Sequence, residues 1–109
     1  MKKLLSLTLT CILLFTLVAC GSSGDVIKIG VFEPQSGDNG AGGKQEILGM
    51  QYANYETPTV EIGGKKYKVE LEISDNASST DKAPSAAQVL VSKGCSVVLG
   101  SYGSGLLCF

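Results

Sequence analysis

Residues 25–32 read Asp25-Val26-Ile27-Lys28-Ile29-Gly30-Val31-Phe32. A β-branched run that is apolar except at Lys28 has the pattern of a mostly buried strand, because a strand covered on both faces needs no alternation. Residues 33–43 (EPQSGDNGAGG) follow as a loop, with Pro34 and the glycines as breakers. Residues 44–56 then place Ile47, Met50 and Tyr55 among polar positions at helical spacing, and Thr57-Pro58 closes that helix. Gly49 and Ala53 stand four apart on one face, where small residues let a helix approach a sheet closely.

Moving outward, residues 60–66 carry a Gly63-Gly64 turn of the kind that makes a small hairpin. Residues 66–74 (KYKVELEIS) alternate: Tyr67, Val69, Leu71 and Ile73 against Lys68, Glu70 and Glu72, a strand with one wet face at or near a sheet edge. A polar loop, residues 75–80, leads to Asp81, which the pattern makes the N-cap of a helix over 82–93 with Pro84 in its first turn. Ala83, Ala86, Ala87, Leu90 and Val91 form the apolar face of that helix, and Gly94 stops it. Residues 96–100 read as a short buried strand and 101–105 as a tight loop, with no terminal helix over 106–109. Strands alternating with helices predict an α/β fold, a parallel sheet with flanking helices and right-handed crossovers. Three main strands and two helices leave such a sheet incompletely covered.

The other end of the chain carries an address. Met1-Lys2-Lys3 is a short positive region, and residues 4–19 are apolar apart from Ser6, Thr8, Thr10 and Thr16. The run falls short of the roughly 20 residues a spanning helix needs. It ends in Leu17-Val18-Ala19-Cys20, which resembles the bacterial lipobox, followed by the flexible Gly21-Ser22-Ser23-Gly24. The expected organisation is a lipoprotein signal peptide over 1–19, a lipidated Cys20 and tether over 20–25, and a folded unit over 26–109. This puts the protein on the outer face of the cytoplasmic membrane, lipid-anchored. Of the 4 cysteines, Cys11 falls in the leader and Cys20 is the lipid site, while Cys95 reads as a small core residue.

Composition excludes several classes. The 109 residues hold 9 Lys, no Arg and 10 acids, and no His. There is no basic surplus for nucleic acid, so none is expected as a partner. Without His, the commonest near-neutral acid/base and nitrogen ligand is missing, and no metal or cofactor is expected. Gly43-Lys44 is preceded, five places before it, by Asp38 and followed by Gln45, which breaks a phosphate loop, and Gln45 also stands where a dinucleotide loop needs glycine. Gly100-Ser101-Tyr102-Gly103 is not a nucleophile elbow. Asp75, Asp81 and Glu33 read as a loop acid, a helix cap and a solvated charge rather than as a catalytic pair. No enzyme activity is expected.

The lipobox, Ile27-Lys28-Ile29-Gly30-Val31, Ser36-Gly37-Asp38 and Gly49-x-x-x-Ala53 together resemble the start of a type I periplasmic binding protein, most of all the leucine/isoleucine/valine-binding group. The likeness continues through Val69-Glu70-Leu71, residues 75–83 and the Gly-x-x-x-Ser-Gly loop of residues 100–105. It implies a partial N-terminal lobe of a two-lobed solute-binding protein that serves an ABC permease, with a small-molecule ligand, an amino acid, branched-chain or other. Ser104 then matches the serine that holds the ligand carboxylate, with Ser101 and Gly105 beside it, and the chain is not expected to function alone. Gly42 stands where leucine-type members often carry an aromatic over the ligand. Two other readings share these residues: an extracellular ligand-sensing domain of the same fold, and an exported α/β enzyme.

Overall fold

The computed structural model describes residues 25–107. The leader, Cys20, most of the tether and Cys108 lie outside the described residues. Element order is β1 (Val26–Glu33), α1 (Gly40–Glu56), β2 (Thr59–Ile62), β3 (Lys65–Asp75), α2 (Ala83–Ser92), β4 (Val97–Leu99) and a 3₁₀ turn over Ser104–Leu107. The four strands form one sheet in the order β2-β3-β1-β4. β1 pairs in parallel with β3 on one side and with β4 on the other, as the alternation of strands and helices predicts. β2 departs from the parallel set by folding back antiparallel on β3. Gly63 and Gly64, at φ +58° and +77°, make its two-residue turn, the conformation a tight hairpin needs.

The two helices sit on opposite faces, because the crossovers to β3 and back to β4 run in opposite directions and each is right-handed. Ile29, Val69, Leu71 and Leu99 face α1. Phe32 faces α2 and packs with Ala83, Ala86 and Leu90 into a small core. Fully burying Leu90 is worth about 1.5–3 kcal/mol. Lys28, the polar break in β1, lies on the α2 side. Its Nζ sits 3.7 Å from Glu72 on β3 and donates to the Lys93 carbonyl at 3.2 Å, capping the end of α2.

Several local expectations change. α1 starts at Gly40, four residues early. The glycines read as loop breakers are there for close approach: a Cβ on Gly43 would collide with the Pro34 carbonyl, and one on Gly40 would press on the Gln35 backbone. Gly49 has open space around it and Tyr55 is exposed, so the buried stripe runs Gly40, Gly43 and Ile47 instead. In α2 the N-cap is Lys82 rather than Asp81, because Ser79 O already accepts the Lys82 and Ala83 N–H groups. Val91 is exposed and does not join the apolar face.

The α2 stop is as expected. Gly94 at φ +75° sends its N–H to Val91 O, and Cys95 N–H reaches Leu90 O, the paired bonds of a Schellman motif. Cys95 packs half-buried against the α2 core. β4 is not buried: Val97, Val98 and Leu99 are 50%, 46% and 41% exposed, because among the described residues β4 is an edge strand with no neighbour beyond it. Among the described residues no helix is long and apolar enough to cross a membrane.

Candidate functional site

β1, the first strand among the described residues, lies inside the sheet between β3 and β4. From β1 the chain passes to β3 on one side, then crosses back to β4 on the other. In open α/β sheets a crevice forms where the direction reverses, beyond the carboxyl ends of the strands. Here that crevice lies between the loops that leave β1 and β4, with the start of α1 beside them. Three loops meet there: residues 33–39, 75–82 and 100–105.

Polar side chains tie the loops together. Asp75 accepts the Gln35 N–H at 2.7 Å, the Ser36 hydroxyl at 2.7 Å and the Ala77 N–H at 2.8 Å. Partial burial acts to raise the Asp75 carboxyl, but these donors outweigh it and hold it below the usual carboxylate range. Ser78 Oγ accepts the Asn39 N–H at 3.0 Å and donates to Ser36 O at 2.9 Å. Ala77 and Ser78 take positive φ values of 55° and 56° to reach these partners. Asn76, fully buried, donates through Nδ2 to Ser101 Oγ at 2.9 Å and accepts the Ser78 N–H at 3.2 Å.

Glu33 completes the framework. Sequence reading made it a solvated charge, but it has no exposed surface. The β4 loop folds over it: Oε2 accepts the Tyr102 N–H at 2.7 Å, while Oε1 lies against Gly100 with no hydrogen-bond partner among the described residues. Burial raises the Glu33 carboxyl and the Tyr102 N–H pulls it back, while neighbouring Glu46 pushes it up again; the net shift is upward.

The three residues marked by their loop pattern are placed differently. Ser101 is half-buried, and its hydroxyl is engaged by Asn76. Ser104 is exposed at the first position of the 3₁₀ turn, and its hydroxyl bonds to nothing among the described residues. Gly105 is exposed, with open space where a Cβ would stand. Asn39, at the start of α1, lies against Gly103, which joins this turn to the helix. Buried Leu106 anchors the turn from below.

Tyr102 was singled out by no motif. Its ring lies on Gly42, so close that a Cβ there would be 2.5 Å from Cζ. The aromatic surface that Gly42 lacks is therefore supplied from the β4 loop, and the ring is 44% exposed beside Ser104. Among the described residues no cluster of His, Cys, Asp or Glu could hold a metal ion.

Tied loops at a switch point, with an open hydroxyl and an aromatic face, occupy the place where open α/β sheets take ligands. The family of periplasmic binding proteins matches residues 26–107, and the chain belongs to that family. Among solved structures it is similar to a leucine-binding protein from Thermotoga maritima MSB8, at 31% identity and a TM-score of 0.66 over 73% of this chain. It is also similar to a solute-binding protein of an ABC transporter from Rhodopseudomonas palustris BisB5, solved in complex with 3,4-dihydroxybenzoic acid, at 25% identity and a TM-score of 0.56 over 68% of this chain. The chain spans 22% and 20% of the lengths of these two proteins. No curated protein matches it.

Proposed function

We propose that this chain forms part of the N-terminal lobe of the solute-binding component of an ABC importer, with amino acids, branched-chain or other, as its ligand class. The Ser104 hydroxyl and N–H hold the ligand carboxylate, with Ser101 and Gly105 shaping the turn. Cys20 carries the lipid that tethers the lobe to the membrane beside its permease. Closure of a second lobe over the ligand completes the site.

One observation carries this reading. Ser104 stands exposed, its hydroxyl unengaged among the described residues, just beyond Ser101 and Tyr102, which Asn76 and Glu33 hold. A hydroxyl with neighbouring free N–H groups suits an anion. The nearby Tyr102 ring offers an apolar face to the rest of the ligand.

Calorimetric titration of the full-length mature protein with the set of natural amino acids tests it. At least one is expected to bind, and Ser104→Ala is expected to weaken it by about tenfold or more, the loss of a charge-assisted hydrogen bond. Unchanged affinity in Ser104→Ala removes the residue from the site, and silence with every amino acid removes the ligand class.

A further inference from the structure

We propose that Glu33 is a positioning residue of the ligand site: its buried carboxyl fixes the Tyr102 backbone and so sets where Tyr102 and Ser104 stand. The ligand-site meaning rests on the reading above; the hold on the loop rests on geometry alone. Glu33 closes β1, the central strand, and has no exposed surface. Its Oε2 meets the Tyr102 N–H at 2.7 Å, while the Gly100 backbone fits so tightly over Phe32 O and Glu33 Oε1 that no Cβ can be added. The Asn76 N–H approaches Glu33 O at 3.4 Å, and Asn76 Nδ2 holds Ser101, the residue before Tyr102. The loop is thus gripped at two consecutive residues, from β1 and from the end of β3.

The chemistry of the grip is unusual for a residue that serves stability alone. A buried carboxyl set beside a second acid, Glu46, with no donor reaching Oε1 among the described residues, costs stability, and an apolar side chain would avoid that cost. No cation compensates it: no ion pair to Glu33 exists among the described residues. The groups around it are Glu46 from α1 and Asp75, its register partner on β3, while the loop contributes the Tyr102 N–H. The Asp75 carboxylate is taken up by Gln35, Ser36 and Ala77. A protonated Glu33 still accepts from Tyr102 through one oxygen, and it places no negative charge behind a site proposed to take a carboxylate. Ligand affinity is therefore highest with Glu33 neutral and falls as pH rises through its titration. Glutamine holds the neutral shape at every pH.

The test uses the full-length mature protein as wild type, Glu33→Gln and Glu33→Ala. Amide hydrogen exchange and the Tyr102 amide shift are followed by NMR against pH, with leucine and 3,4-dihydroxybenzoate titrated as probes. In wild type the Tyr102 amide is expected to move with a midpoint above the usual carboxylate range, and in Glu33→Gln to stay flat. Glu33→Ala should speed exchange over residues 100–105 and weaken probe binding by about tenfold or more, with β1 and β3 amides still protected. Glu33→Gln should rescue both. If Glu33→Ala does not fold, the comparison of wild type with Glu33→Gln decides alone. A Tyr102 amide indifferent to pH in wild type, or unchanged exchange in a folded Glu33→Ala, overturns the assignment. A Tyr102 amide that responds as expected while neither probe binds supports the hold on the loop and counts against the amino-acid reading instead.

Discussion

The Tyr102 ring rests directly on Gly42, with no room for a methyl group between them. Gly43, one residue on, is packed as tightly, but against the Pro34 backbone. The two positions therefore respond differently to the same substitution. In Gly42→Ala the obstacle is a half-exposed ring that can swing outward, and the helix gains up to about 1 kcal/mol from alanine. Stability is expected to stay within about 1 kcal/mol of wild type, while the Tyr102 ring resonances shift and ligand affinity changes. In Gly43→Ala the obstacle is main chain, and overpacking costs about 1–3 kcal/mol. Urea denaturation of both variants checks the contrast; equal losses would show that the ring is as fixed as the backbone.

The two acids of the crevice act on stability in opposite senses. Asp75 is held below the usual range, so its contribution is present above that range and is lost as pH falls through its own titration. Glu33 is raised, so its contribution is present in acid and is lost as pH rises through its titration. Asp75→Asn removes one acceptor from a partly exposed group and should cost about 1 kcal/mol at neutral pH. The gap from wild type should narrow as pH falls below the usual carboxylate range, where the wild-type carboxylate protonates too. A gap that does not vary with pH would mean that the Asp75 charge contributes nothing to the tie between the loops.

Much of this fold is legible in local sequence. The β-branched run of β1, the alternation of β3 and the Gly63-Gly64 turn each declare themselves within a few residues, because period and turn chemistry are local. What misleads is anything decided by a distant neighbour. Val97, Val98 and Leu99 have the composition of a buried strand, but their burial depends on what flanks β4, and among the described residues nothing does. Glu33 next to Pro34 and Ser36 reads as loop, and the residue that covers it is 69 positions away. Ser104 and Ser101 are marked only by the resemblance of their loop to the family's, whereas Asn76 and Tyr102 carry no motif and emerge only through the contacts they make.

Glycine illustrates the same division between two positions with equally open surroundings. Gly94 has nothing within reach of a Cβ, but its φ is +75°, so Gly94→Ala meets backbone strain alone, about 1–2 kcal/mol. Gly49 also has open space, within a helix, and Gly49→Ala should stabilise by up to about 1 kcal/mol. Thermal unfolding of the two variants should move in opposite directions. A destabilised Gly49→Ala would restore the close helix–sheet contact that its spacing suggests.

Anchoring is tested at Cys20. Intact-mass analysis of membrane-extracted protein is expected to find the mature chain starting at a lipidated Cys20, and Cys20→Ala is expected to release the protein or stall its processing. An unmodified terminus, or cleavage elsewhere, defeats the assignment.

On the α1 side, Ile29, Met50, Val60, Val69, Leu71 and Leu99 line an apolar groove of about 290 Å³ that the helix does not fill. The described residues bury 7 hydrophobic side chains and leave 13 large ones exposed, including all three of β4. With so little apolar surface withdrawn from water, residues 25–107 are marginal against the cost of ordering the chain. The open β4 edge adds unpaired backbone groups that can template pairing with other chains. Residues 25–107 expressed alone are therefore expected to bind an exposed-hydrophobe dye strongly and to unfold over a broad temperature range. Lys at Val98 (Val98→Lys), which puts a charge on that edge, is expected to reduce self-association measured by light scattering. A sharp transition with low dye binding would show that these residues fold autonomously despite the open groove, and the inference from their exposure would fail.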